Sequence, residues 1–366
     1  MTIRRARGLY DRMTTFQSLY AAARLARRGK RRAYGTARFE HHLEENLVQL
    51  QSELRAGQFT FGGYRTFIVD SPTRRVIRAA PYRDRVVHHA MCAQLEPLLE
   101  RRMIEHSFAC RVGKGSHAAI INLQEFLRGG AWALKIDISK YFYSVDHDLL
   151  RQSLGRVTDD STLLRLVTNL LATYDASAEY YFPQPGDDLF AVAQPRGLPI
   201  GNLSSQLFAN WYLDPIDQYI KRTLGWRRYV RYMDDLVLVG ATKAEVTEAR
   251  AKVQEALSAL RLTPHPRKTQ IFPVANGVPF LGFRVYPHGR RILRANLRRF
   301  TVRMRRYAHA VADGTMPLDY VRASLRSWLG FADPAMHGAL IEHILDTIYY
   351  HEPGRRLPTR FTLRTA

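Results

Sequence analysis

The segment Tyr229-Val-Arg-Tyr-Met-Asp-Asp-Leu-Val-Leu-Val-Gly240 constrains this chain more than any other. Two short apolar runs flank a pair of adjacent carboxylates. Runs of this length and β-branched content read as strands, Arg228–Tyr232 and Leu236–Gly240, with Met233-Asp234-Asp235 at the tip between them. Two acids side by side repel, and something must offset that repulsion. A divalent cation held by hard oxygen ligands is the usual answer. An acidic turn alone is ordinary surface chemistry. Apolar strands on both sides distinguish this one, because they would fix the carboxylates on a rigid scaffold.

A third acid stands in Leu134-Lys-Ile-Asp-Ile-Ser-Lys-Tyr-Phe-Tyr-Ser-Val-Asp146. Asp137 ends an apolar strand, Ala133–Ile138. Beside the Asp234–Asp235 pair it completes a ligand set for two metals, which clamp the attacking and leaving oxygens of a phosphoryl displacement. The Ile138 carbonyl is a further candidate ligand. Asp146 reads better as a helix cap before His147-Asp148-Leu149.

The charge says what such a site would act on. The 366-residue chain carries a formal net charge of +22, with a pI near 10.3, and 46% of its residues are hydrophobic. It has enough apolar surface for real cores, and an excess of charge that calls for a polyanion such as nucleic acid. The charge is clustered: eleven Lys or Arg against Asp11 in residues 1–38, and nine Arg with no acid in residues 284–306. Cys92 and Cys110 have no zinc spacing. No apolar run is long enough to span a membrane, and no secretory leader is visible, so a non-membrane, cytoplasmic protein is expected.

Along the chain, residues 1–38 read as a basic extension, helical from Ser18 to Gly29 with little apolar surface. It would be either a phosphate-tracking segment or a solvated tail. Phe39, Leu43, Leu47, Leu50 and Leu54 predict one amphipathic helix over 39–57. Strands at Tyr64–Val69 and Arg75–Ala79 flank a turn at Ser71-Pro72, and a helix follows from Asp84 to Leu99. A helical insert runs from Asp146 to Thr173, with loops at Pro183–Gly186 and Pro195–Gly197. Helices are predicted at 204–222 and Lys243–Leu260, a strand at Pro279–Tyr286, and helices from Arg290 and over Leu318–Tyr350. His88-His89 and His41-His42 lack ligand spacing and read as ordinary helix and surface residues.

The Tyr-Met-Asp-Asp box, the Lys-Ile-Asp-Ile strand and Gly197-Leu-Pro-Ile-Gly-Asn-Leu-Ser-Ser-Gln206 together resemble the palm motifs of reverse transcriptases, in order and spacing, from Phe39 to Phe331. The resemblance implies an α+β right-hand polymerase fold: fingers, an antiparallel palm sheet backed by helices, and a helical thumb. The expected divisions are a basic extension at 1–38, fingers at 39–130, and palm at 131–148 and 191–287. An insert at 149–190 and a thumb at 288–366 complete them. The resemblance also implies an RNA-directed DNA polymerase using two Mg²⁺ ions, with Mn²⁺ as a substitute, on template RNA, an RNA–DNA hybrid and deoxynucleoside triphosphates.

By position, Asp137, Asp234 and Asp235 match the catalytic carboxylates. Arg75 and Arg83 match the residues that hold the incoming triphosphate, a role guanidinium forks suit. Phe142 matches the aromatic gate that rejects a 2′-hydroxyl, and otherwise reads as a core aromatic. Ile200 and Gly201 would lie at the nascent base pair. Lys268 matches the lysine that neutralises leaving pyrophosphate, and Gly282 lies in the primer grip, Pro279-Phe-Leu-Gly-Phe283. Arg298, Arg299, Arg303, Arg305 and Arg306 on the helix at 295–311 would track the hybrid. Ser107-Phe-Ala-Cys-Arg-Val-Gly-Lys-Gly-Ser-His117 resembles a motif of group II intron-type enzymes and lacks P-loop spacing.

Most reverse transcriptases of this kind carry Gln where Ile200 stands and Ser-Pro where Ser205-Gln206 stands. The variant resembles enzymes of diversity-generating retroelements. These are bacterial or phage-encoded, copy a template repeat with errors at adenines, and work with a small multimeric accessory protein. The alternatives are a group II intron-like or phage-defence enzyme, which Arg326-Ser-Trp-Leu-Gly330 also resembles, and a catalytically idle RNA-binding protein. No maturase or endonuclease segment follows the thumb, so a stand-alone polymerase is expected.

Overall fold

The computed structural model describes residues 5–70, 74–177 and 193–332, with scattered positions outside those spans. Its centre is a four-stranded antiparallel sheet of β3 (Trp132–Asp137), β4 (Tyr229–Tyr232), β5 (Asp235–Gly240) and β6 (Gln270–Pro273), in the order β4-β5-β3-β6. The two strands read from the central motif are there and pair with each other. Strand periodicity explains why the sheet is interior. Leu134, Ile136, Leu236 and Leu238 point into one apolar core, while Ala133, Val237 and Val239 point into a second on the opposite face.

The first core is walled by helices. These include α1 (Leu9–Met13), α2 (Phe16–Ala26), α4 (Leu43–Arg55) and α5 (Tyr82–Glu100) from the N-terminal part. From the middle come the short α7 (Tyr141–Ser144), α8 (His147–Gly155), α9 (Ser161–Leu171), α10 (Leu203–Tyr212) and α12 (Lys243–Ala259). The second core lies among α6 (Ser116–Leu127), a three-stranded antiparallel sheet β7 (Val278–Phe280), β8 (Phe283–Tyr286) and β9 (Gly289–Ile292), and helices α13 (Arg294–Ala312) and α14 (Leu318–Ala332). Phe300 of α13 stacks on Trp328 of α14 with ring centroids 3.6 Å apart, an aromatic pair worth about 1 kcal/mol beyond its buried area.

Several boundaries differ from the sequence reading. The basic N-terminal segment is not poor in buried apolar surface. Its α2 buries Leu19, Ala22, Ala23 and Ala26 against α5, with Arg24 outward. Small alanines allow this close approach and are easily overlooked in a periodicity count. The single helix over 39–57 is two, α3 (Tyr34–His41) and α4, broken at His42, where the backbone leaves helical geometry. The helix at 204–222 is likewise divided into α10, α11 (Asp214–Gln218) and a π-turn at Tyr219–Thr223. Pro279–Tyr286 is a hairpin rather than one strand, because Leu281 and Gly282 both turn with positive φ. Strands β1 (Arg65–Val69) and β2 (Arg75–Ala79) pair as expected. The turn at Ser71-Pro72, the loop at 183–186 and the helix expected beyond Ala332 lie outside the described residues. Asp146 caps α8 through Leu149 N–H at 2.9 Å, a contact worth about 1 kcal/mol. Among the described residues no helix is long and apolar enough to cross a membrane.

Candidate active site

The register of the central sheet assembles the three aspartates. Asp137 ends β3 directly opposite Asp235, the first residue of β5. Asp235 in turn pairs with Tyr232 across the hairpin, leaving Met233 and Asp234 as the turn. Met233 sits at φ 53°, a left-handed conformation costly for a residue with a Cβ. Residues 98 positions apart in sequence are thereby neighbours in a ladder.

Burial and mutual repulsion dominate the electrostatics. Asp234 is pushed up to about 6, by burial first and then by Asp235. Asp235 is also raised, by burial, against the pull of Lys135. Both lie where an added positive charge would be favourable.

Two lysines supply part of that charge. Lys268 Nζ donates to Asp137 Oδ1 at 3.0 Å and Oδ2 at 3.3 Å. It arrives because His265 N–H bonds the Asp137 carbonyl at 2.7 Å and Ile138 bridges Pro264, which lays residues 263–268 along the end of β3. Lys135 Nζ lies 3.0 Å from Asp235 Oδ1. The sequence reading gave Lys135 no role. Strand alternation was the available signal, since residues 135 and 137 share one face.

The donor set fits a hard divalent cation in kind: three carboxylates and a main-chain carbonyl at Ile138. Asp235 Oδ1 is buried and accepts no well-aligned hydrogen bond despite its nearby lysine. Among the described residues, no three acidic, imidazole or thiol groups converge to metal-binding distance in this geometry. Asp137 and Asp235 instead each face a lysine.

The strand pair β1–β2 is latched to the loop after Pro199. Arg78 N–H donates to the Ile200 carbonyl at 2.9 Å. The Asn202 side chain accepts from Ala80 N–H at 3.2 Å and donates to the Arg78 carbonyl at 2.8 Å. Gly201 has φ +115°, and a Cβ there would meet Ile77 Cγ2 at 2.7 Å, so the loop needs glycine. Asn202 is a positioning residue that the sequence reading missed.

The two arginines expected at the triphosphate part company. Arg75 is exposed at the start of β2. Arg83 is turned inward: it pairs with Glu53, lies over the Phe59 ring and reaches the Thr60 carbonyl. Phe142 is half-buried, packed edge-on against Tyr141, and its carbonyl accepts from Leu198 N–H at 2.6 Å. That contact brings it beside the loop carrying Ile200.

Gly282 turns the β7–β8 hairpin at φ +90°. Its carbonyl accepts from Leu293 N–H and Asn296 Nδ2, both at 3.0 Å, so the turn docks on the start of α13. Arg298, Arg299, Arg303, Arg305 and Arg306 are exposed on α13, opposite its buried Phe300 and Met304.

Comparison with known proteins agrees with this geometry. The family model "Reverse transcriptase (RNA-dependent DNA polymerase)" matches residues 70–285, more than half the chain. The chain is 28% identical over 283 residues to Protein YkfC of Escherichia coli, covering 66% of this chain and 72% of that protein. It is 27% identical over 179 residues to the putative COX1/OXI3 intron 1 protein of Saccharomyces cerevisiae, 48% of this chain and 20% of that one. With the group II intron-encoded protein LtrA of Lactococcus lactis it shares 22% identity over 181 residues, 48% of this chain and 28% of LtrA. It therefore spans most of one relative and under a third of these two intron-encoded ones. The match runs from β2 into β8, including all three aspartates and both lysines that face them, and the chain belongs to the reverse transcriptase family.

Proposed function

We propose that the chain is an active RNA-directed DNA polymerase with Asp137, Asp234 and Asp235 as its catalytic carboxylates. The pairing of Asp137 with Asp235 across β3 and β5, with Asp234 beside them in the turn, carries this reading. Two Mg²⁺ ions held by these carboxylates and the Ile138 carbonyl would activate a primer 3′-hydroxyl and neutralise the leaving pyrophosphate. The chain's own groups do the rest. Lys268 is placed to trade its contact with Asp137 for the pyrophosphate oxygens. Arg75 is free to meet a triphosphate. Arg83 reaches one only by leaving Glu53. Phe142 would be the ring that excludes a 2′-hydroxyl, a reading supported by its contact with the loop carrying Ile200.

In right-hand terms, the fingers span 39–130 and the palm 131–148 and 191–287. The thumb begins at 288, with the Gly282 turn presenting the primer end and α13 gripping the hybrid. The basic extension at 1–38 would support the fingers while its outward arginines meet template RNA.

Within that reading, Ile200 supports a diversity-generating element with adenine errors and a small accessory protein. The similarity to intron-encoded proteins supports an intron-like enzyme instead. One experiment separates all the readings: primer extension on an RNA template with deoxynucleotides and Mg²⁺, followed by sequencing of the cDNA. Errors concentrated at template adenines support the diversity-generating type, and evenly spread errors the intron-like type. An inert parent chain that still binds RNA would leave an idle RNA-binding protein. Asp234→Asn is expected to lower the rate by about 10³-fold, the loss of several kcal/mol of charge stabilisation.

A further inference from the structure

Arg231 lies inside the catalytic hairpin, on β4, and is fully buried with Asp217 of α11. A charged pair in such a place is costly unless every donor is used. Here all five N–H groups are used. Nε donates to Asp217 Oδ1 at 2.8 Å and Oδ2 at 2.9 Å, and Nη2 to Asp217 Oδ2 at 2.6 Å and the Asn210 carbonyl at 3.1 Å. Nη1 donates to Asn210 Oδ1 at 2.8 Å and to the Met233 carbonyl at 3.1 Å. Tyr229 OH closes the set on Asp217 Oδ1 at 2.7 Å.

One of these contacts differs from the rest. The others tie β4 to helices α10 and α11, as a structural ion pair would. The Met233 contact reaches into the turn itself, at the residue with left-handed φ immediately before Asp234. The guanidinium is thus a brace between two helices and the peptide that aims the carboxylates. The main chain of Arg231 adds a third tie. It exchanges hydrogen bonds with His106 and Phe108, and Asn210 Nδ2 bonds the Ala109 carbonyl at 2.9 Å, so the segment before α6 is held to the same brace.

We propose that Arg231 is a positioning residue whose Nη1 contact with the Met233 carbonyl sets the turn geometry of Asp234 and Asp235 for nucleotidyl transfer, while Asp217 stabilises the buried guanidinium within the fold. The proposal rests on the polymerase reading above. It makes the Met233 contact, not the ion pair as such, responsible for turnover.

Two variants separate those roles. Arg231→Lys keeps a positive charge for Asp217, but three donors on a single ammonium cannot span Asp217, Asn210 and Met233 together. Asp217→Asn removes the ion pair and turns one of its two acceptor oxygens into a donor, but does not touch the Nη1 contacts to Asn210 Oδ1 and the Met233 carbonyl. Primer extension is measured per folded molecule, well below the melting temperature of each protein. Arg231→Lys is expected to lower kcat by on the order of 10- to 100-fold, the effect of a small misplacement of catalytic groups. KM for the deoxynucleotide should stay close to the parent's. Asp217→Asn is expected to lower the melting temperature while keeping kcat within a few-fold. Arg231→Lys with unchanged kcat, or both variants losing kcat in proportion to stability, overturns the proposal. If the parent chain extends no primer, the polymerase reading fails by itself. Amide exchange then judges the Met233 contact: Arg231→Lys must accelerate exchange across Tyr232–Asp235 while leaving β6 unchanged, and equal rates in both strands overturn it.

Discussion

Ile200 carries two separable loads. Its carbonyl latches β2 through Arg78 N–H, and its side chain offers hydrocarbon where an amide would offer hydrogen bonds. Because the latch is main-chain, Ile200→Gln leaves it intact. The substitution is expected to reduce adenine errors in the cDNA by several-fold without unfolding the protein, as read by sequencing products of parent and variant side by side. An unchanged adenine error rate sinks the diversity-generating reading of this residue. At this scale the sequence showed where a residue stands when its placement depends on its own strand. Asp137, Asp234 and Asp235 followed from apolar runs ending in acid. Arg83, Asn202 and Lys135 did not, since their partners Glu53, Arg78 and Asp235 are 30 to 124 positions away and only the folded chain brings them near.

The element that most needs a partner is α13. Phe300, Met304 and Val311 fix one face in the second core, and the arginines occupy the other. No acid stands in residues 284–306 to neutralise them. An RNA–DNA hybrid would match that face by charge. Changing Arg298, Arg299, Arg303 and Arg306 to Gln should weaken hybrid binding at all sequences alike. The slope of log affinity against log salt should fall by about one for each phosphate contact removed. Affinity lost with the slope unchanged would place the hybrid elsewhere. Elements were legible as whole runs, as in α5, α12 and the β4–β5 hairpin. Boundaries failed where one residue redirected the backbone: His42 between α3 and α4, and Leu281-Gly282 in the hairpin.

For the whole molecule, the N-terminal segment matters more than its charge suggests. Leu9, Met13 and Leu19 are almost wholly buried in the first core. Each contributes about 2 kcal/mol by burial, against a net stability of about 5–15 kcal/mol for a typical domain. Deleting residues 1–26 should therefore lower the melting temperature sharply in the absence of any RNA, measured by thermal unfolding. A detachable RNA-binding tail would leave that temperature where it was. Composition concealed this, because eleven basic residues in 38 dominate any average and hide four alanine and leucine positions on one helix face.

The two-sided burial of β3 and β5 also bears on how such a protein can change over generations. A residue gained or lost within either strand would reverse every side chain beyond it and send Asp137 or the leucines to the wrong core. Descendants of this chain can lengthen their surface loops freely, but the length of each of these two strands is inherited whole or not at all.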